Sequence, residues 1–386
     1  MAINFSIFLP RNTIWYQGLA KQLKNAGAKF NITTYCGLLD EAELLAWIVN
    51  HDTHIILEMN RPRNDIPYLP SNIIHICWVV DFNGRPISDF QGSELTYLFG
   101  PKWLEKYHGS SFFRWFGPGV CLSNYYPDDT PFLSRAAFAG HIPLPWSDEE
   151  LLRTITKPTN KPVTFGEFLP ELELALLKNR NNLKVHDDYV DLIANMLLTQ
   201  HGTEMELDRK LEYDMTGRLI RLLNRTQLID SIIDVIDCFD IYGPLNWLSW
   251  PKYKPYYKKY LTLSSEMRNI YAASLNLHEG NGMHFRVLDC MASAGLIFVK
   301  KGEYDEKAGG IKTFFLPDKH YVEFDLDDLN DKLNFYLFNQ KAADKIRFCA
   351  AEEVKKNHTW CKRFESIFED LKQLGYLSCM DYKSLQ

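Results

Sequence analysis

Leu275-Asn-Leu-His-Glu-Gly280-Asn-Gly-Met-His-Phe285-Arg-Val-Leu-Asp-Cys290-Met-Ala-Ser-Ala-Gly295-Leu-Ile-Phe-Val-Lys300 reads as strand, glycine-containing loop, helix, small-residue stop and second strand. Two short apolar runs flank a helical spacing, with glycine on either side of the helix. Gly280 and Gly282 allow turns closed to other residues and let a ligand approach the main chain. A helix opening near His284 points free N–H groups and a positive dipole end into the loop, an arrangement suited to a diphosphate. Arg286 falls in the first helical turn, where a cation opposes the dipole unless an anion sits nearby. Asp289 follows three residues later on the same face, placed to accept hydrogen bonds from a ribose hydroxyl pair. Residue types alone equally allow a glycine-capped surface loop with an Arg286–Asp289 pair worth ~0.2–0.5 kcal/mol. The loop has neither the Gly-x-Gly-x-x-Gly dinucleotide pattern nor the Gly-Lys-Ser/Thr of a P-loop.

Working outward, similar alternation recurs. Residues 4–9, 29–35, 54–59 and 72–82 read as strands, with helices over 13–26 and 41–50. Strands apolar on both faces and separated by helices predict a parallel sheet, which the runs 95–100, 111–116 and 136–139 extend. From 147 to 228 the texture turns helical, with helix formers over 171–177, 189–200 and 206–223. A second alternating region follows: 229–241 ends at Gly243-Pro244, 265–273 and 285–294 are helical, and 275–278 and 296–300 are strands. Helices over 327–338 and 342–374 finish the chain. The predicted fold is α/β, with two Rossmann-like halves facing a central cleft and a helical insertion or bridge. The domains read as 1–146, 147–228 as the insertion, 229–364 as the second Rossmann-like half, and a last helix over 365–386 that can cross back.

Composition narrows the function classes. At 386 residues the chain has room for two domains. Its 43 basic and 49 acidic side chains leave a charge of −6, so no basic excess supports nucleic-acid binding. Eight scattered cysteines form no CxxC pair or short-spaced Cys/His quartet, which speaks against a zinc site or a disulfide framework. No run approaches the ~18 apolar residues of a membrane span, and the N-terminus lacks a secretory pattern. The chain is therefore expected to be cytoplasmic, with a peripheral contact at the inner face of the membrane left open. The aromatic clusters at 112–116 and 247–260 suit either core or a lipid or glycan surface.

Three further segments accompany the opening stretch: Asp240-Ile-Tyr-Gly243-Pro-Leu-Asn-Trp247, Met267-Arg268-Asn-Ile-Tyr271-Ala-Ala-Ser-Leu-Asn276-Leu, and His358-Thr-Trp360-Cys-Lys-Arg363. Together with Phe285-Arg286-Val287-Leu288-Asp289 and Ala294-Gly295, they resemble the C-terminal half of GT-B glycosyltransferases, particularly the group related to the spore-maturation protein CgeB. The resemblance covers about residues 235–370. The N-terminal half matches in layout, with Trp78-Val-Val-Asp81 resembling a strand that ends in Asp at the cleft. Asp289 stands where the pattern more often has Glu, and Glu279 lies ten positions before it, which does not match the wider pattern's glutamate spacing.

The resemblance implies a glycosyltransferase of polysaccharide-type biosynthesis. It would move a sugar from a nucleotide-activated donor to a glycan, lipid-linked or other cell-surface acceptor, with no cofactor or metal. Gly243, Arg268, Gly280, Asn281, Gly282, His284, Arg286 and Asp289 would hold the donor. Arg286, then His284, Arg268 and Lys300, would stabilise the departing diphosphate, since preorganised electrostatics carries most of such catalysis. Asp81, at the strand end where open α/β sheets present ligands, is the candidate base, with Glu58 in reserve. Asn12 and Thr13 follow the first strand as acceptor contacts or helix caps. The Asp-x-Asp within Glu323-Phe-Asp-Leu-Asp-Asp328 reads as capping and surface. His358 and Trp360 are expected to pack the terminal helix on the C-terminal half. A catalytically inactive scaffold binding a glycan or protein partner, or a sugar-nucleotide epimerase, also fits the layout.

Overall fold

The computed structural model describes residues 3–82, 84–105, 113–158, 161–179 and 182–377. Chain order begins with β1 (Phe5–Leu9), α1 (Ile14–Gly27), β2 (Ile32–Cys36), α2 (Glu41–Asn50), β3 (Ile55–Met59), β4 (Ile74–Val79), β5 (Leu95–Leu98), α3 (Pro101–Leu104) and β6 (Phe113–Trp115). After β7 (Ala136–Ala139) come α4 (Asp148–Leu151), α5 (Phe165–Lys178), α6 (His186–Met196), α7 (Arg209–Tyr213) and α8 (Leu219–Ile233), then β8 (Phe239–Tyr242) and β9 (Tyr257–Lys259). The remainder is α9 (Ser264–Ala273), β10 (Leu275–His278), α10 (Phe285–Ala292), β11 (Leu296–Lys300), β12 (Val322–Phe324), α11 (Leu329–Phe338), α12 (Gln340–Asn357) and α13 (Trp360–Gln373).

Two six-stranded sheets result, in the orders β2-β1-β3-β4-β5-β6 and β12-β11-β10-β7-β8-β9. Every described pairing is parallel, as strands joined by helical crossovers require. Leu95–Leu98 and Phe113–Trp115 extend the first sheet as expected, whereas residues 111 and 112 lie outside the described residues. Ala136–Ala139 does not join that sheet. Ala136 and Ala137 pair with Leu275 and Asn276, so β7 opens into the second sheet. Three alanines around Phe138 leave no signal in the sequence for either sheet, and the partner strand decides.

By compactness the chain divides into one unit of 1–81, 88–137 and 261–386 and another of 82–87 and 138–260, cut at other places than the 146, 228 and 364 boundaries read from the sequence. In the second unit, Ile155, Phe165, Phe168, Leu172, Ile193, Met215 and Leu219 form a buried apolar core. The stretch 229–241 is not one strand: Ile229 and Ile232 are buried on the last turns of α8, and only Phe239–Tyr242 is extended. α6 and α7 each run on into a π-turn, at Leu197–His201 and Asp214–Arg218.

In the first unit β1 is buried along its whole length. Phe5, Ile7 and Leu9 meet Leu19 and Leu23 of α1 and Phe364 and Phe368 of α13. Phe8 on the opposite face meets Leu44, Ile56 and Ile73, following the period of two that strands impose. Burying each such side chain contributes roughly 1.5–3 kcal/mol. Trp360 packs into the core of the first sheet and also against Phe285, while His358 lies on Phe314 and Phe315, so the motif ties the terminal helix to the first sheet as well as to the C-terminal half expected from the sequence. The helix read over 342–374 breaks at His358–Thr359. There Val120 N donates to the His358 carbonyl (2.9 Å) and Trp360 N donates to the Val120 carbonyl (3.1 Å). Arg363 Nε donates to the Pro118 carbonyl at 2.9 Å, and its guanidinium donates to His358 Nδ1 at 3.1 Å. The motif is thus a clamp that fixes segment 118–121 to the start of α13.

Burial and the Arg363 guanidinium hold His358 neutral, with a pKa of about 3. The unfolded imidazole titrates near 6.5, so between these values the unfolded state binds the extra proton and stability falls as pH drops. We expect the wild type to lose up to about 1.4 kcal/mol per pH unit below 6.5 through this group. Denaturant titrations at pH 7 and pH 5 should show a shallower dependence in His358→Gln. Equal slopes for the two proteins would remove the clamp's electrostatic role.

Candidate functional site

The glycine loop follows β10. Gly280 sits at φ +87°, with nothing within 4 Å of where a Cβ would lie, so its glycine is set by backbone conformation and its outer face is open. Gly282 has a different reason. A Cβ there would meet Ile311 Cβ at 2.8 Å, so this glycine serves close packing against the protein and not a left-handed turn. Asn281 shapes the bend from within: its Oδ1 accepts from Met283 N (3.0 Å) and its carbonyl from His278 Nε2 (2.9 Å). The Asn281 Nδ2 group is buried without a hydrogen-bond acceptor among the described residues, a donor that a bound anion would satisfy.

α10 opens at His284, whose Nδ1 accepts from Arg286 N at 3.2 Å. The imidazole thus caps the helix, which occupies one of the amides that the sequence left free for a diphosphate. Arg286 is half-buried in the first turn and lies close enough to Tyr271 to act on its phenol. Asp289 is flanked by Tyr125 and Tyr271, whose phenols its charge and their burial push well upward. Desolvation raises the Asp289 carboxyl well above its ordinary range. No side chain among the described residues donates a hydrogen bond to that carboxyl. A diol donating to it would favour the charged form and supply the missing partners.

Phe285, the first residue of α10, ties this loop to the first sheet. Its ring lies 5.5 Å from Trp15, 6.1 Å from Trp78, 5.9 Å from Phe99 and 6.2 Å from Trp360. Trp78 and Phe99 stand at or just beyond the C-terminal ends of β4 and β5, and Trp15 is the second residue of α1, the helix that follows β1. Asp81 leaves β4 at that same edge. Asn60, at φ +62°, turns its Oδ1 to accept from Val80 N (2.7 Å) and Asp81 N (3.1 Å), fixing where the aspartate emerges. The Tyr16 phenol is within electrostatic reach of both Asp81 and Arg11.

Other expected residues are placed elsewhere or already engaged. Arg268 Nε lies 3.0 Å from Asp128 Oδ2, and its guanidinium covers the Tyr126 ring at 4.1 Å; it is neither a solvated helix face nor open to a ligand without leaving that pair. Glu58 is fully buried, 3.3 Å from His75 Nε2 and 3.4 Å from Arg61, so it cannot serve as the reserve base. Gly243 belongs to the second unit, where a Cβ would fall 2.0 Å from the Gly140 carbonyl; its glycine answers to that packing. Lys300 ends β11 half-buried. Asn12 Oδ1 accepts from Gln17 Nε2 at 2.8 Å, and Thr13 is an N-cap residue with no side-chain cap bond. Asp328 accepts from Asp325 N and pairs with Lys332, turning the Asp-x-Asp stretch into a helix entry. No His, Cys, Asp and Glu cluster that could hold a metal occurs among the described residues. Likewise, no helix among them is long and apolar enough to cross a membrane.

Sequence reasoning did not assign Tyr125, Tyr271 or Phe285 to this site, although Tyr271 and Phe285 stand within the motifs quoted above; only the aromatic richness of the chain hinted at Tyr125.

With the geometry in hand, comparisons with known proteins are informative. Residues 218–369 match the model of the family described as glycosyl transferase-like. A search of curated proteins finds no match. Among solved structures, a glycosyltransferase from Rickettsia africae ESF-5 superposes with a TM-score of 0.51 at 11% identity, covering 98% of this chain and 100% of that one. Alr3699/HepE of Anabaena, solved with UDP-glucose, gives 0.50 at 9% identity, covering 96% and 99%.

The interlock of Gly282 with Ile311 is directly testable. Gly282→Ala should cost about 1–3 kcal/mol through overpacking, and less when Ile311→Ala is already present. A double-mutant cycle read by urea unfolding checks this; strictly additive costs would mean that the contact does not shape the loop. The two parallel sheets and their helices have the fold of GT-B glycosyltransferase structures, and residues 218–369 are similar to the glycosyl transferase-like family.

Proposed function

We propose that this protein is a nucleotide-sugar-dependent glycosyltransferase of CgeB-like type, and that the 279–289 loop and helix bind its donor. The observation that carries the reading is the seat of Phe285. It joins the start of α10 to the strand ends from which Asp81 emerges, so a donor on the loop and a base on the first sheet can serve one reaction. The donor diphosphate would lie over Gly280, meeting Arg286 and the spare Asn281 amide, with Asp289 taking the ribose hydroxyls. The acceptor hydroxyl oxygen bonds to the sugar's anomeric carbon as the bond to the diphosphate oxygen breaks. Asp81 accepts the hydroxyl proton, and Arg286 offsets charge on the leaving group. In this reading charge stabilisation belongs to the protein's own cation and helix end, without a metal. A glycan or lipid-linked acceptor and a place at the cytoplasmic face of a membrane remain part of the proposal.

Because Anabaena HepE was solved with UDP-glucose, UDP and UDP-glucose are the first probes, followed by the GDP, dTDP and CMP series. Calorimetry should detect binding, with affinity reduced tenfold or more in folded Arg286→Ala and Asp289→Ala proteins. Since Asp289 starts from a raised pKa, a diol that favours its carboxylate releases a proton. Affinity should therefore rise with pH, and the enthalpy should vary with the buffer's ionisation heat; Asp289→Asn removes both effects. Absence of binding across all four nucleotide series would defeat the proposal. The tie between His284 and the Arg286 amide favours a second reading, a binding scaffold without turnover. Nucleotide binding with no transfer or donor hydrolysis would select it.

A further inference from the structure

Trp15 is the exposed member of the ring cluster around Phe285. It is 46% exposed, although a neighbouring ring holds it on each of two contacts: Tyr16 at 4.7 Å and 78°, and Phe285 at 5.5 Å and 82°. Both contacts are edge-to-face, so the indole is fixed in orientation while much of it stays open to solvent. Its chain neighbours are one exposed apolar residue, Ile14, and a polar stretch before that. Arg11 and Asn12 are exposed just before it, and the Asn12 amide has its oxygen occupied by Gln17, leaving its N–H groups to point elsewhere. The adjacent Tyr16 faces Arg11 and Asp81.

We infer that the open face of Trp15 is a stacking platform for a sugar ring of the acceptor, so that the acceptor is a carbohydrate chain. A pyranose presents one face of weakly positive C–H groups, which complements the negative face of an indole. Its hydroxyls project around the rim, where Arg11 and Asn12 can bond them. Phe285 places this platform one residue from the Arg286 turn, beside the loop assigned to the donor. This inference rests on the glycosyltransferase reading only for the meaning of the bound sugar as acceptor; the platform itself is a separate claim.

The test uses the full chain on a printed array of defined oligosaccharides, with saturating UDP present, alongside calorimetry with UDP. The wild type should be retained on one or more glycans. Trp15→Ala should lose at least tenfold of that retention, a larger loss than any fall in its UDP affinity, since Trp15 also braces Phe285; Trp15→Tyr should keep most of the retention with UDP affinity unchanged, and all three should unfold cooperatively. If UDP binds but no glycan is retained, or if Trp15→Ala retains glycans as well as the wild type, the inference is wrong and the donor-side reading survives. If glycans are lost in Trp15→Ala yet no nucleotide binds, the platform stands and the transferase reading falls. Flotation on phosphatidylglycerol–phosphatidylethanolamine vesicles that depends on Trp15, without glycan retention, would overturn the inference in favour of a membrane contact.

Discussion

The ring of Phe285 is the contact on which the site depends. A helix start is a mobile place for an aromatic unless neighbours hold it, and here Trp15, Trp78, Phe99 and Trp360 do so. Each such ring pair adds about 0.5–1.5 kcal/mol beyond area burial. Four of them fix where α10 begins relative to the first sheet, and with it the direction of Arg286 and Asp289. The neighbours come from the start of α1, β4, β5's exit and α13, so sequence-distant parts of the first unit converge on one residue.

α13 matters for the same reason. Trp360 reaches Phe285 only because the His358–Arg363 clamp holds segment 118–121 against the helix start. Behind it Phe364 and Phe368 close the core over β1 and Phe30. The loop is braced on its other side by Ile311, which fills the space that Gly282 leaves. Its geometry is therefore set by packing on two sides, and its proposed chemistry draws on the outer face of Gly280, the buried Asn281 amide, the Arg286 turn and the desolvated Asp289 carboxyl.

Much of this was legible in the residues, and the rest was not for identifiable reasons. Strands 275–278 and 296–300 were read with the bounds the structure has, because each apolar run ends at turn-forming residues. The placement of 136–139 failed because three alanines and one phenylalanine, buried throughout, carry no pattern that distinguishes the two sheets, and β10 chose the sheet. Residues 229–241 were read as one run ending at Gly243-Pro244, without a division, because a helix end followed by a strand gives one long apolar texture. At the site, glycine was recognised at 280 and 282, but the pattern could not separate a left-handed turn from close approach to Ile311. Arg268 offered a free cation on paper; its pairing with Asp128 depends on a segment more than a hundred residues away. His284 was open between ligand and structural roles, and the cap to Arg286 N needed coordinates.

Amide hydrogen exchange of the full chain, with and without a saturating nucleotide sugar selected by titration, tests the central assignment most directly. The assignment predicts that exchange slows chiefly across 279–287, with smaller effects at the strand ends beside Phe285. Saturation of the protein with unchanged exchange in 279–287, and protection centred on another segment, would contradict it.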